Sequence, residues 1–244
     1  MRRTHSAEAC PRSPDVAIPV FWLTPTNRVR VSLRRYSAGD AVTCPKMPGK
    51  YSYHNASVDI GTAAPKWTRE KEGRRFRRYL TSPRKKPRTD PRWPKRCACG
   101  YRFKATDQWQ TNGDLLYSGA PDGKLYTLRD APAGAMWDAW WLNDMEMFTG
   151  PDGLALMVRT PGGDWNVDGE ASNCTRTQYG PKVIKGIRHE KVWLGRTHYC
   201  WIRQGDPRRP ATVHVDKNGQ TCAAGAGSIQ AGSYHGFLHH GHLT

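Results

Sequence analysis

The sequence predicts an α+β protein, mostly antiparallel β with short strands, one tryptophan-rich helix and a basic irregular N-terminal region. Three observations predict it. Glycine-containing turn pairs recur in the C-terminal part at Asn112-Gly113, Asp122-Gly123, Asp152-Gly153, Gly162-Gly163 and Asn218-Gly219, which is the punctuation of hairpins. Residues 131–147 place Met136, Trp137, Trp140, Trp141 and Met145 at helical spacing. Finally, residues 1–104 hold 25 Lys and Arg against 7 Asp and Glu, whereas the remainder hold 13 against 14, so the whole net charge of +17 belongs to the first part.

Residues 1–18 are polar and broken by Pro11 and Pro14, and read as a flexible tail. The charge boundary then divides a basic region, 19–104, from a near-neutral β-rich domain, 105–244. Residues 20–23 and the alternation of Val29, Val31 and Leu33 with Arg28, Arg30, Ser32 and Arg34 predict a strand pair around the turn 24–27, with a solvated basic face. Five prolines, Pro65, Pro83, Pro87, Pro91 and Pro94, then block any long helix or central strand. Residues 68–80 alone have room for a short basic helix, which would gather Lys71, Arg74 and Arg78, and 81–96 should be an extended loop.

Beyond Cys97 short strands are expected at 115–117, 124–128, 154–159, 164–167, 199–203 and 212–215. The single helix is expected at 131–147, with Asp130 as N-cap and Pro132 in the first turn. Its apolar stripe reads as core-facing. No apolar run approaches the ~20 residues of a spanning helix, and Glu8, Pro11, Pro14 and Asp15 interrupt any signal-peptide core, so no membrane partner and a cytoplasm-like compartment are expected. There the seven cysteines, an odd number, suit thiols or metal ligands better than disulfides.

Cys97-Ala98-Cys99-Gly100 is the sharpest motif, because two thiolates grip one ion when a glycine lets the backbone turn around it. Cys44 and His54 are the best further ligands, giving a candidate zinc site of Cys44, His54, Cys97 and Cys99 that would close the basic segment at its base. Ordinary partly buried thiols fit the same residues. A weaker second set is Cys174, His198, Cys200 and Cys222, since His198 and Cys200 lie two apart on one strand face; buried core cysteines explain it better. Cys222 with His198 or His235 would form a thiol nucleophile and base, but nothing in the sequence brings them together. The composition therefore points to binding rather than catalysis.

The basic excess peaks between Arg69 and Arg96, with 13 cations against 3 anions. Arg74, Arg75, Arg77, Arg78, Arg84, Lys85, Lys86 and Arg88 are candidate phosphate contacts, and Trp93 a candidate platform for an unpaired base. Nucleic acid is the expected partner, although a solvated basic linker fits the same run.

Several segments together resemble a family of uncharacterised proteins of tailed bacteriophages and environmental viruses. They are Asp90-Pro91-Arg92-Trp93-Pro94, Cys97-Ala98-Cys99-Gly100-Tyr101, the stretch from Ala131 to Trp141, Asp164-Trp165, His198-Tyr199-Cys200-Trp201-Ile202-Arg203 and Thr221-Cys222-Ala223-Ala224-Gly225-Ala226-Gly227. The part around Trp165, Cys174 and 198–203 is also similar to a bacterial domain of unknown function. The resemblance covers most of the chain and implies a viral origin, with host cytoplasm or virion as location and virion subunits as alternative partners. It implies no activity and transfers no site.

Overall fold

In the computed structural model the described residues are 17–36, 44–46, 54–71, 74–82, 91–104, 108–143, 145–150, 152–170, 177–196, 200–217 and 228–244. Their strands, in chain order, are β1 (Ile18–Pro19), β2 (Phe21–Trp22), β3 (Thr24–Tyr36), β4 (Asn55–Lys71), β5 (Arg74–Ser82), β6 (Gln108–Ser118), β7 (Ala135–Asp138), β8 (Leu156–Thr160) and β9 (Gly163–Asn166). There follow β10 (Thr177–Ile184), β11 (Ile187–Arg196), β12 (Trp201–Gln204), β13 (His214–Lys217), β14 (Ile229–Ala231), β15 (Tyr234–Gly236), β16 (Leu238–His239) and β17 (His242–Leu243).

The first sheet has the antiparallel order β5-β4-β3-β6. Period-two alternation on β3 works as the sequence indicates: Val29 and Val31 are fully buried, while Arg28 is exposed. Arg30 is not simply solvated, since its guanidinium meets Asp59 at 2.8 Å and Asp130 at 3.3 Å. The expected pairing of 20–23 with β3 is not found, because β2 joins β7 instead and β3 lies between β4 and β6. Asn112-Gly113 is likewise not a turn: it lies within β6, opposite Ser32 and Val31.

Both prolines in the strands of this first sheet sit where it is two strands wide. Pro25 opposes Tyr117 on β6 before β4 joins at Arg28, and Pro65 opposes Tyr79 on β5 beyond the last β3 partner, Thr62. A missing amide proton is tolerated at such edges. The predicted basic helix at 68–80 is therefore a β-ribbon. Its register runs from Ala63 opposite Thr81 to Lys71 opposite Arg74, with an irregularity between Trp67 and Arg69.

The second sheet, β2-β7-β8-β9, overturns the predicted tryptophan-rich helix at 131–147 and with it the α+β class. Among the described residues there is no α-helix; only 3-10 turns occur, at Trp140–Leu142, Glu146–Phe148 and Pro210–Thr212. Gly134 already breaks the helix with φ +92, and a Cβ there would collide with the Pro19 carbonyl. Residues 135–138 then form a strand hydrogen-bonded on both sides, so neighbours as well as alternate residues are buried. Ala135 and Trp137 pack with Leu23, Val29, Leu115 and Tyr117, while Met136 points to the opposite face with Val158, Val213, Ile229 and Leu238. Consecutive apolar residues of a doubly covered strand imitate helical spacing. Among the described residues the fold is all-β in three layers: the first sheet, the β2-β7-β8-β9 sheet, and the small C-terminal sheets β1-β17-β16, β12-β13 and β14-β15.

The strands cross the charge boundary at residue 104, since β6 completes the first sheet and β2 pairs with β7. A buried ion network fastens β12 to the middle layer. Arg203 contacts Asp152 at 2.8 Å and Asp168 at 3.2 Å, and the Leu156 amide donates to Asp168 at 3.0 Å. β10 and β11 form a hairpin turning at Lys185 and Gly186, both at positive φ as such a two-residue turn requires. Among the described residues no helix is long and apolar enough to cross a membrane.

Candidate metal centre

Cys97, Cys99, Cys44 and His54 come together from three separate pieces of chain. Cys97 and Cys99 lie on a tight reversal in which Arg96 bridges Arg102, the Phe103 amide donates to the Lys95 carbonyl at 3.0 Å, and the Cys97 amide donates to Tyr101 at 2.9 Å. At its tip the Gly100 amide donates to the Cys97 carbonyl at 2.9 Å, with Gly100 at φ +94. A side chain is strained at that φ, which is why glycine follows the second cysteine. His54 immediately precedes β4, and Cys44 precedes the turn at Pro45 and Lys46.

One ligand atom from each of the four residues lies within 4.8 Å of every other, so the cluster can hold a metal ion. Cys44 Sγ and Cys97 Sγ are 3.9 Å apart, and Cys99 Sγ is 3.2 Å from His54 Nδ1. Cys44, Cys97 and His54 are 2%, 4% and 5% exposed; Cys99 is half-buried. The His54 ring is fixed by Tyr101, whose ring stacks on it at 4.1 Å with an interplanar angle of 9°, and Phe103 meets Tyr101 edge-on at 6.0 Å. Tyr101 is thus a supporting residue, marked in sequence only as an aromatic directly after Cys-x-Cys-Gly.

The electrostatics favour a thiolate. Burial pushes the Cys97 thiol up, but the Cys99 backbone amide, the His54 ring, the Asn55 amide and the Cys99 side chain outweigh it and bring Cys97 down to about 6. Cys99 moves the other way. The Tyr101 amide lowers it, yet desolvation and the Cys97 and Cys44 sulfurs together hold it above its ordinary value. One negative charge is thus already accommodated, and a cation is what would let the remaining thiols ionise.

Of the second sequence-predicted set only Cys200 is among the described residues. Cys200 is a buried thiol, whereas Cys174, His198 and Cys222 lie outside the described residues. His235 hydrogen-bonds Ser228 Oγ at 2.6 Å. Of the candidate phosphate contacts, Arg74, Arg75, Arg77 and Arg78 fall on β5, opposite Lys71, Glu70, Trp67 and Lys66 respectively. Arg84, Lys85, Lys86 and Arg88 lie outside the described residues. Trp93 is half-buried against Val31 and Val58, so its ring supports the approach to the cysteine turn as well as reaching the surface.

No family model matches this chain, and neither a curated protein nor a solved structure matches it. The chemistry of the cluster and of the ribbon therefore carries the functional reading.

Proposed function

We propose that this chain is a zinc-stabilised viral protein that binds nucleic acid through a basic β-ribbon, without strong sequence choice. The observation that carries the reading is the β4–β5 register, which opposes Lys71 to Arg74, Glu70 to Arg75, Trp67 to Arg77 and Lys66 to Arg78 in a segment of two strands. Like charges directly opposite one another destabilise a hairpin unless a counter-charge is bound. Residues 63–71 span about 30 Å at ~3.3 Å per residue, and a two-stranded ribbon is of a width that the ~12 Å major groove of DNA admits. The cations Arg84, Lys85, Lys86 and Arg88 extend the same run in sequence.

Zinc is the ion the donor set suits. Three thiolates and one imidazole make a tetrahedral site whose S–S edge is about 3.8 Å for Zn–S bonds of ~2.3 Å, close to the 3.9 Å between Cys44 and Cys97. Four protein ligands leave no open position, so the role is structural. His54 stands just before β4, and Cys97 follows β5, so one ion fastens both ends of the ribbon at its base.

The test is binding to duplex DNA, single-stranded DNA and RNA across a salt series from 50 to 200 mM. Replacing Arg74, Arg75, Arg77 and Arg78 together by Gln should flatten the slope of log K against log salt by roughly 3–4 for duplex DNA, at ~0.9 per phosphate contact. An affinity indifferent to salt, or untouched by the four substitutions, would overturn the reading.

A second reading, a virion structural or assembly protein with the ribbon as an arm, is favoured by the β10–β11 hairpin. It exposes Val183, Ile184, Ile187 and Leu194, apolar side chains distributed over both faces of the hairpin that a neighbouring subunit would cover. This reading predicts stoichiometric copies in purified particles. Mass spectrometry that finds none would remove it.

A further inference from the structure

A second group of ligating side chains lies in the C-terminal layer, far in sequence from the cysteines. His214 and Asp216 are two apart on β13, so both leave the face opposite the buried Val213 and Val215. His239 comes from β16. One ring nitrogen of each histidine and one carboxylate oxygen of Asp216 all lie within 4.8 Å of one another. All three residues are half-buried, so solvent reaches one side of the group.

The backbone holds this group in place. β16 and β17 turn at His240 and Gly241, with φ +46 and +78, a pair of positive values that fixes a two-residue hairpin turn. The Gly241 amide donates to the Val213 carbonyl at 2.8 Å, and a Cβ on Gly241 would meet Ala211 Cα at 2.7 Å. The turn is thus seated on the residue preceding His214. The His214 ring accordingly faces His239 and His240, each at 4.5 Å between centroids.

Two features of the group lack an account in hydrogen bonding alone. His214 Nε2 lies 2.8 Å from Asp216 Oδ1, yet His214 Nδ1 is buried with no hydrogen-bond partner. A buried ring nitrogen without a partner is uncommon, so hydrogen bonding alone does not fix this ring. The His214 ring is also packed against the imidazoles of His239 and His240, and a single divalent ion can satisfy the ligand atoms of His214, His239 and Asp216 at once.

We propose that His214, Asp216 and His239 bind a divalent first-row transition-metal ion through two imidazole nitrogens and one carboxylate oxygen. The mixed N and O donor set selects zinc, cobalt, nickel or copper over magnesium and calcium, which require oxygen ligands. Three protein ligands at a solvent-reached site leave a coordination position for water or an exogenous anion, unlike the filled cysteine site. Bringing the ligand atoms to bonding distance takes side-chain rotation at the half-exposed rim, with β13 and the 240–241 turn unmoved.

The experiment uses the full chain, reduced and stripped of metal, titrated with Co²⁺. Sulfur-to-cobalt charge transfer in the near ultraviolet counts the cysteine site, and equilibrium dialysis counts total metal. Wild type should take up one equivalent beyond that reported by charge transfer. His239→Gln and, separately, Asp216→Asn should weaken that additional equivalent at least tenfold and leave the charge-transfer amplitude unchanged. His235→Gln and His242→Gln, outside the group, should retain it. Binding only to the extent of charge transfer in wild type would overturn the proposal, as would an additional equivalent that survives Asp216→Asn and His239→Gln or vanishes equally in His242→Gln.

Discussion

Cys99 Sγ lies 3.2 Å from His54 Nδ1 across 45 residues of sequence, which include the basic ribbon. The contact joins the residue before β4 to the turn after β5. It makes the cysteine cluster the closure of the ribbon rather than an isolated feature of one loop.

Tyr101 holds the His54 ring by stacking at 4.1 Å. Tyr101→Leu should therefore weaken metal binding roughly fivefold, the equivalent of about 1 kcal/mol for an aromatic pair, with all four ligands still present. Competition against a colorimetric zinc chelator measures this, and an unchanged affinity would show that the stacking contributes nothing to the site.

The Cys97 thiol, lowered from 9.0 to about 6 in the folded chain, sets a pH dependence for the metal-free protein. An acid whose folded value is depressed stabilises the fold fully above its unfolded value and loses that contribution as pH falls through the folded one. The window is thus pH 9 to 6. Metal-free wild type should lose stability relative to Cys97→Ser across that window and converge with it below pH 6. Parallel unfolding midpoints between pH 9 and 6 would contradict the assignment.

Arg203 and Asp168 form a buried pair, 6% and 5% exposed at their side chains. Burial holds the Asp168 carboxyl above its ordinary range despite Arg203. Arg203→Met should cost about 3–5 kcal/mol, because it leaves a buried carboxylate without its partner. Denaturant unfolding should show part of that loss recovered when Asp168→Asn is added, and a loss below ~1 kcal/mol would rule the network out as a fastening of β12.

The four residues of the cluster were legible in sequence because their chemistry is rare and their turn is marked: Cys-x-Cys-Gly requires a positive φ after the second cysteine, and Gly100 has it. The central strand β7 was not legible. Met136 and Trp137 are neighbours buried in different layers, a pattern that a helix stripe imitates and only the partners β2 and β8 distinguish. The ribbon was misread as a helix for a related reason. Pro65 argues against a central strand, but β4 has lost β3 as a neighbour by that point, which sequence alone does not reveal. The grouping of His214 and Asp216 with His239 has no mark in the sequence, because His239 joins them only through the seating of Gly241 on Val213.

The central claim is that an ion bound by Cys44, His54, Cys97 and Cys99 closes the basic ribbon. Elemental analysis of the full chain, purified from zinc-replete cells and dialysed under reducing conditions, tests it most directly. At least one zinc per chain is predicted, with one equivalent lost in Cys97→Ser together with salt-dependent DNA affinity. A wild-type chain that carries no zinc would contradict it.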